Sequence, residues 1–420
     1  MTSGLYIHVP FCSSRCGYCD FNTYTPAELA ADPASMGSAQ GRTPEGYLDA
    51  LERELEMAAV AWDRTGLDPV GSAGVSTVFF GGGTPSMLGS AGLNRALRAV
   101  RNTVGLAEGA EVTTEANPES TSPEFFDSLL EGGFNRISLG MQSAAGHVLK
   151  VLERQHTPGR PEQAVREAHA AGFEHVNLDL IYGTPTETDD DLARSLDAVI
   201  GAEVDHVSAY SLIVEDGTAM ARKVRKGQLP APDEDVYADR YEMIDQRLVE
   251  AGFDWYEVSN WAKPGGECEH NLIYWRGGQW WGAGPGAHGC VRLAPGVTTA
   301  QVSSDATPSG LTRTINAKHP ARYWDAVFTD EKLPVVTFEP LSEADLRTER
   351  VLLGLRLREG ISLADVDAEV NPAVASELER YVSMGLLDVD RDAGRVRVTH
   401  EGRYLVDGIA TDLLIAMDDE

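Results

Sequence analysis

FCSSRCGYCDF, residues 11–21, sets Cys12, Cys16 and Cys19 in one short loop directly after an apolar run, LYIHVP (5–10). Three soft thiolates at this spacing suit zinc or an iron–sulfur cluster. A structural zinc site takes four closed ligands, usually as two close pairs. No second pair lies nearby, and Cys268 and His270 could supply one only from far along the chain. A four-iron cluster on three thiolates leaves one iron without a protein ligand, and an open metal position admits a small molecule.

Outward from this loop, short β-rich runs recur: VSTVFF (75–80), EVTTEA (111–116), NRISLG (135–140), HVNLDLIYG (175–183) and HVSAYSLI (206–213). Amphipathic stretches at 46–60, 91–102, 123–131, 161–171 and 189–200 separate them, and Ser90, Ser122 and Thr188 stand where a side-chain oxygen caps a first turn. Such alternation predicts an α/β fold of parallel βαβ units whose strand ends open on one rim. Polar motifs follow those ends: GGGTPS, EANPES, GMQS and DLIYGTP. A barrel or partial barrel with its site at the C-terminal rim accounts for this, with a doubly wound open sheet as the alternative.

Two stretches, 26–45 and 294–318, have scarcely any apolar periodicity and are expected to be mobile surface loops. Beyond Pro340, helical patterns at 342–357 and 373–385, an alternating VRVT and a last helix from about 400 predict a small winged-helix-like α+β domain. The expected division is 1–290 for the barrel, 291–339 for an insertion and linker, and 340–420 for the C-terminal domain.

At 42% hydrophobic residues, the 420-residue chain can bury a sizeable core. Its formal charge of -30 repels phosphate backbones, which argues against nucleic acid as a partner. Neither a secretory pattern nor a transmembrane-length apolar run is present, so the expected location is cytoplasmic. A reducing compartment favours a metal or redox role for the clustered cysteines over disulfides.

CSSRCGYC resembles the signature of the radical S-adenosylmethionine (SAM) superfamily. The resemblance implies a [4Fe-4S] cluster on Cys12, Cys16 and Cys19, with SAM chelating the open iron through its amino and carboxylate groups. YIHVPFC, GGGTPS, EANPES, GFNRISLGMQS and DLIYGTP extend the likeness over residues 4–290. They are similar to the branch that holds oxygen-independent coproporphyrinogen III oxidase and the haem-chaperone family, HemW, which implies a partial (βα)6-type TIM barrel. Matched motif by motif, Tyr6 and Tyr18 flank the cluster, while Gly82, Gly83 and Thr84 approach the methionyl amine. Glu115 and Arg154 serve the amino-acid end, and Gln142 and Asp179 the ribose. The residue types agree: glycines let backbone come close, arginine grips a carboxylate with two bonds, and aspartate accepts from paired hydroxyls.

Within that branch two features separate oxidase from haem carrier. The oxidases have a further cysteine two residues beyond the last cluster cysteine and a long segment before the loop; this chain has Phe21 and eleven residues before Cys12. The haem-chaperone family is marked by His-Asn-x-x-Tyr-Trp, matched by His270, Asn271, Tyr274 and Trp275. An imidazole can ligate haem iron and aromatic faces can stack on a porphyrin. The resemblance therefore implies haem binding and transfer to apo-haemoproteins without coproporphyrinogen oxidation, and allows a cluster-linked homodimer. The alternative is an oxygen-independent coproporphyrinogen III oxidase of porphyrin biosynthesis. GPGAHG (284–289) is expected to be a tight backbone pass, since Pro285 and the absence of a following helix pattern exclude a dinucleotide fingerprint.

Overall fold

All six apolar runs form strands, in chain order β1 (Ser3–Val9), β2 (Val75–Gly82), β3 (Leu106–Ala116), β4 (Arg136–Gln142), β5 (His175–Tyr182) and β6 (His206–Ser211). This computed structural model describes residues 3–65, 74–154, 156–297, 310–368 and 370–418. Each of the six strands pairs in parallel with the next. The helices Pro44–Ala61, Gly89–Asn102, Pro123–Gly132, Arg160–Ala171 and Asp189–Gly201 lie between them in sequence, close to the amphipathic stretches. Their apolar stripes meet Leu5, Ile7, Val78, Phe80, Ile137, Leu139, Val176 and Leu178 in one buried core. Because strand side chains alternate, the opposite face presents Tyr6, His8, Glu115, Ser138, Asn177 and Asp179 to the interior of the arc.

The sheet continues past both edges of this arc with β7 (Asp254–Glu257), β8 (Asn260–Ala262), β9 (Gln279–Ala283), β10 (His288–Arg292), β11 (Leu311–Asn316) and β12 (Val335–Pro340). The order is β12-β11-β10-β9-β1-β2-β3-β4-β5-β6-β8-β7, parallel from β9 through β6 and antiparallel outside. The parallel strands β1 to β6 follow chain order with no reversal, and among the described residues β12 and β7 do not pair, so the architecture is a partial (βα)6 barrel and not a doubly wound sheet, whose strand order reverses.

Three local expectations are corrected. Ser90 caps nothing: the helix begins at Gly89 after a short 3-10 turn, and its N-cap Leu88 makes no side-chain bond, whereas Ser122 and Thr188 do cap. Residues 26–45 are not loop throughout, because Thr25 and Glu28 form a capping box that starts the helix Pro26–Ala31. Arg42 then ties the segment down through the carbonyls of Asp32, Pro33 and Gly37. The stretch 294–318 contains β11, whose burial alternates along LTRTIN; its inward residues are threonine and asparagine, which hid the period. Residues 298–309 of that stretch lie outside the described residues. With β12 and the helix Pro320–Phe328, the segment expected as linker forms the outer edge of the sheet.

The C-terminal unit pairs β13 (Ile361–Ser362), β14 (Leu387–Asp390) and β15 (Arg395–Val398) in the order β13-β15-β14, with helices Glu343–Gly354, Pro372–Ser383 and Val406–Asp418. This is the expected winged-helix-like α+β pattern. It docks through Arg403, which reaches Asp245 at 2.6 Å and lies over the rings of Tyr241 and Trp255. Among the described residues no helix is long and apolar enough to cross a membrane.

Candidate functional site

The cysteine loop leaves β1 and is pinned by backbone bonds. Cys12 N donates to Tyr24 O (3.1 Å) and Tyr24 N to Pro10 O (2.7 Å), closing its base. Gly17 N donates to Leu152 O (3.1 Å) and Met220 N to Gly17 O (2.8 Å), which ties its tip to the segments after β4 and β6. From β2, the glycine turn reaches across: Gly83 N donates to Val9 O and Thr84 N to Phe11 O, both at 2.8 Å. The Thr84 hydroxyl lies 3.5 Å from Cys12 Sγ. Gly82 has φ +107°, and a Cβ there would sit 2.5 Å from the His8 ring; at Gly83 it would sit 2.6 Å from Phe11 O. Both positions demand glycine.

Cys12, Cys16 and Cys19 line one cavity of about 1360 Å³ at the strand ends, together with Tyr18, Gly82, Gly83, Thr84, Glu115, Gln142, Arg154 and Asp179. None of the three thiols is in a disulfide, and Cys268 and Cys290 are buried elsewhere. Among the described residues no three His, Cys, Asp or Glu side chains are grouped to hold a single metal ion. Burial pushes the Cys12 and Cys19 thiols up, and neighbouring Cys16 adds to this.

The same cavity holds a buried set of ionisable groups. Burial, then the nearby Asp179, holds the Glu115 carboxyl up at about 8, while Gly82 N (3.2 Å) and Arg154 oppose the shift. Asp179 is also raised by burial; it accepts from Asn177 at 2.7 Å and from Ser138 at 3.2 Å. Arg154 points one nitrogen at Cys16 Sγ (3.6 Å) and another at Gly140 O (3.2 Å), and its buried Nε has no partner. Gln142, at φ 69°, ends β4 where the pairing with β5 shifts register, a strained conformation of a kind that gathers at functional sites.

This donor set fits the groups that the sequence resemblance implies. Three unlinked thiols share the cavity wall with a glycine turn that side chains would fill. Glu115 suits an ammonium, Arg154 carries a buried Nε without a partner, and Asp179 has its carboxylate oriented by Ser138 and Asn177.

The structure does not bring every expected residue to this cavity. Tyr6 stands beside it: its hydroxyl bonds His8 Nδ1 at 3.0 Å, and His8 Nε2 bonds Asn22 O at 2.9 Å, bracing the cysteine loop. The HNLIYW segment forms the helix Glu269–Trp275 against β1, β2 and β9. His270 is 1% exposed. Its Nδ1 lies 2.7 Å from Thr77 Oγ1 and its Nε2 2.7 Å from Tyr274 OH, and its ring stacks on Phe79. Tyr274 packs edge-on to Trp280, and Trp275 lies against the buried cluster of Tyr256, Ala262, Leu272 and Leu357. Both imidazole nitrogens are thus engaged inside the protein.

Other cavity residues went unread in the sequence: Ser138, Tyr210 and His156. Ser138 and Tyr210 share the inward strand face with Glu115 and Asp179, so the two-residue period could have found them. Burial, then Arg154, lowers the His156 imidazole to about 4. His156 follows a short helix and carries no periodic signal.

The Radical SAM superfamily profile matches residues 6–199, and the HemN C-terminal domain matches residues 341–405. "Heme chaperone HemW" of Mycobacterium tuberculosis (strain ATCC 25618 / H37Rv) is 52% identical over 411 residues, covering 98% of this chain and 94% of that one. The Escherichia coli (strain K12) protein of the same name is 31% identical, covering 96% of each. Coproporphyrinogen III oxidase (HemN) from Escherichia coli, a solved structure, is 23% identical with a TM-score of 0.74, covering 98% of this chain and 90% of that chain, which shows a shared fold. With a family signature on the cysteine loop and relatives matched along nearly its whole length, the chain belongs to the HemW family of the radical SAM superfamily.

Proposed function

We propose that this protein binds haem and passes it to apo-haemoproteins, carrying a [4Fe-4S] cluster with SAM at its open iron. The observation that carries this is the single cavity on which three unlinked thiols, the glycine turn, Glu115, Arg154 and Asp179 all open, in a chain whose relatives bear the name of haem chaperone. When bound, the cluster and SAM supply a one-electron couple beside a cleavable sulfonium.

The chain's own residues do the positioning. Cys12, Cys16 and Cys19 would hold three irons. The 82–84 turn keeps Cys12 in place through the Thr84 hydroxyl and the two backbone bonds to Val9 and Phe11. Glu115 takes the methionyl ammonium, and on doing so releases the proton that burial favours. Arg154 takes the carboxylate, Asp179 and Gln142 the ribose, and Tyr18 closes the loop side.

His270, Asn271, Tyr274 and Trp275 are proposed to take part in haem association. An axial bond from His270 requires it to give up Thr77 or Tyr274, so helix Glu269–Trp275 must shift for ligation. Phe21 occupies the cavity wall where the oxidases' further cysteine would lie, which favours carriage over decarboxylation.

Anaerobic reconstitution tests the reading. The expected result is a stoichiometric haem absorption band with no conversion of coproporphyrinogen. Turnover of coproporphyrinogen to protoporphyrinogen, or no haem band, overturns it.

A further inference from the structure

Three large apolar side chains that the fold leaves exposed lie around the same cavity. Phe21, on the cysteine loop, is 61% exposed; Ile213, just after β6, is 64%; Tyr210, on β6, opens 45% of its surface. Scattered exposed hydrophobics are ordinary, but side chains from two distant segments converging on one rim mark a ligand surface. The segments are joined there, since Met220 N bonds Gly17 O across them. A single small ligand fills roughly 300–1000 Å³. At about 1360 Å³, the cavity is larger than one such ligand needs.

Charge at the rim suits the same occupant. Lys150 lines the cavity and makes no ion pair among the described residues, in a chain with 65 acidic and 35 basic residues. Asp20 and Glu215 also line the cavity and repel a carboxylate, so a carboxylate at this mouth would be held at Lys150.

We propose that haem is first seated at this mouth, its porphyrin face on Phe21 and Ile213 and a propionate on Lys150, so that it lids the cluster cavity. This rests on the haem-binding reading above, and it separates the loading place from the buried HNLIYW helix. Haem so placed hinders SAM from entering or leaving.

The test titrates hemin into the anaerobically reconstituted full chain and into F21D/I213D, following the Soret band. Because both side chains are largely exposed, the expected variant keeps wild-type iron and thermal midpoint while its haem affinity falls at least tenfold. Hemin is also expected to slow the exchange of labelled SAM from the wild type. Unchanged haem affinity in the variant, with wild-type haem binding intact, overturns this seat alone; a wild type that binds no haem overturns the proposed function with it. Should the double variant lose iron, I213D, which lies outside the cysteine loop, decides by the same affinity criterion.

Discussion

Replacing Gly83 by alanine isolates the latch between β2 and the cysteine loop. The new Cβ would lie 2.6 Å from Phe11 O and 2.8 Å from Val9 O, both backbone atoms that no rotamer change can move aside. The turn must therefore retreat, stretching Gly83 N to Val9 O and Thr84 N to Phe11 O, each 2.8 Å. Two such bonds contribute about 1–3 kcal/mol, and forced repacking adds a comparable cost. A loss of about 3 kcal/mol shifts the seated-loop equilibrium by roughly 150-fold. In a barrel of this size it lowers the thermal midpoint by roughly 3–6 °C. The assay is anaerobic thermal unfolding of the apo-protein, paired with iron per chain after reconstitution and desalting. G83A should melt earlier and hold less than half the wild-type iron. G201A, where a Cβ meets nothing within 4 Å, serves as the silent control. Wild-type melting and iron in G83A would refute the latch.

Three further outcomes follow from other parts of the molecule. Single C12A, C16A and C19A variants should each lose bound iron almost completely while keeping the far-ultraviolet spectrum of the fold, checked by iron assay and circular dichroism. Glu54 is buried beside Tyr323, Gly284, Asn316 and Trp281, and burial holds its carboxyl up at about 7 from 4.5. The folded chain thus keeps a proton that the unfolded chain releases, so this residue's contribution falls as pH rises from about 4.5 to about 7, by up to about 3 kcal/mol. Denaturant unfolding at about pH 5 and about pH 7.5 should show a smaller pH difference in E54Q. R403A removes the guanidinium that joins the C-terminal unit to Asp245 and the rings of Tyr241 and Trp255. It leaves Asp245 buried with fewer partners at a cost of about 3 kcal/mol, read as faster proteolysis near residue 340.

The barrel strands and most helices were legible because each carries its own period. Strands that must bury one face under helices show β-rich apolar runs, and Thr188 and Ser122 announced their helices by local chemistry. Ser90 misled, because a 3-10 turn after Pro85 already sets the helix direction and leaves no free first turn for a side chain to cap. The strand β11 was illegible: its inward face is Thr312, Thr314 and Asn316, polar residues buried by pairing with β10 and β12 and by the Asn316 bond to Glu54 (2.8 Å). Nothing within LTRTIN records that partnership.

By itself the sequence determined the chemistry available: three thiolates at fixed spacing, glycines where backbone must come close, and the order of strand-end motifs. Covalent spacing and local backbone preference operate over a few residues, so they survive in the letters. Only the tertiary structure decided which of those groups share a space. It gathered Glu115 from β3, Asp179 from β5 and Arg154 from the segment after β4 around the thiols, and it turned His270 inward with both nitrogens engaged. Contacts between residues more than a hundred positions apart arise from packing, and packing is settled by the whole chain.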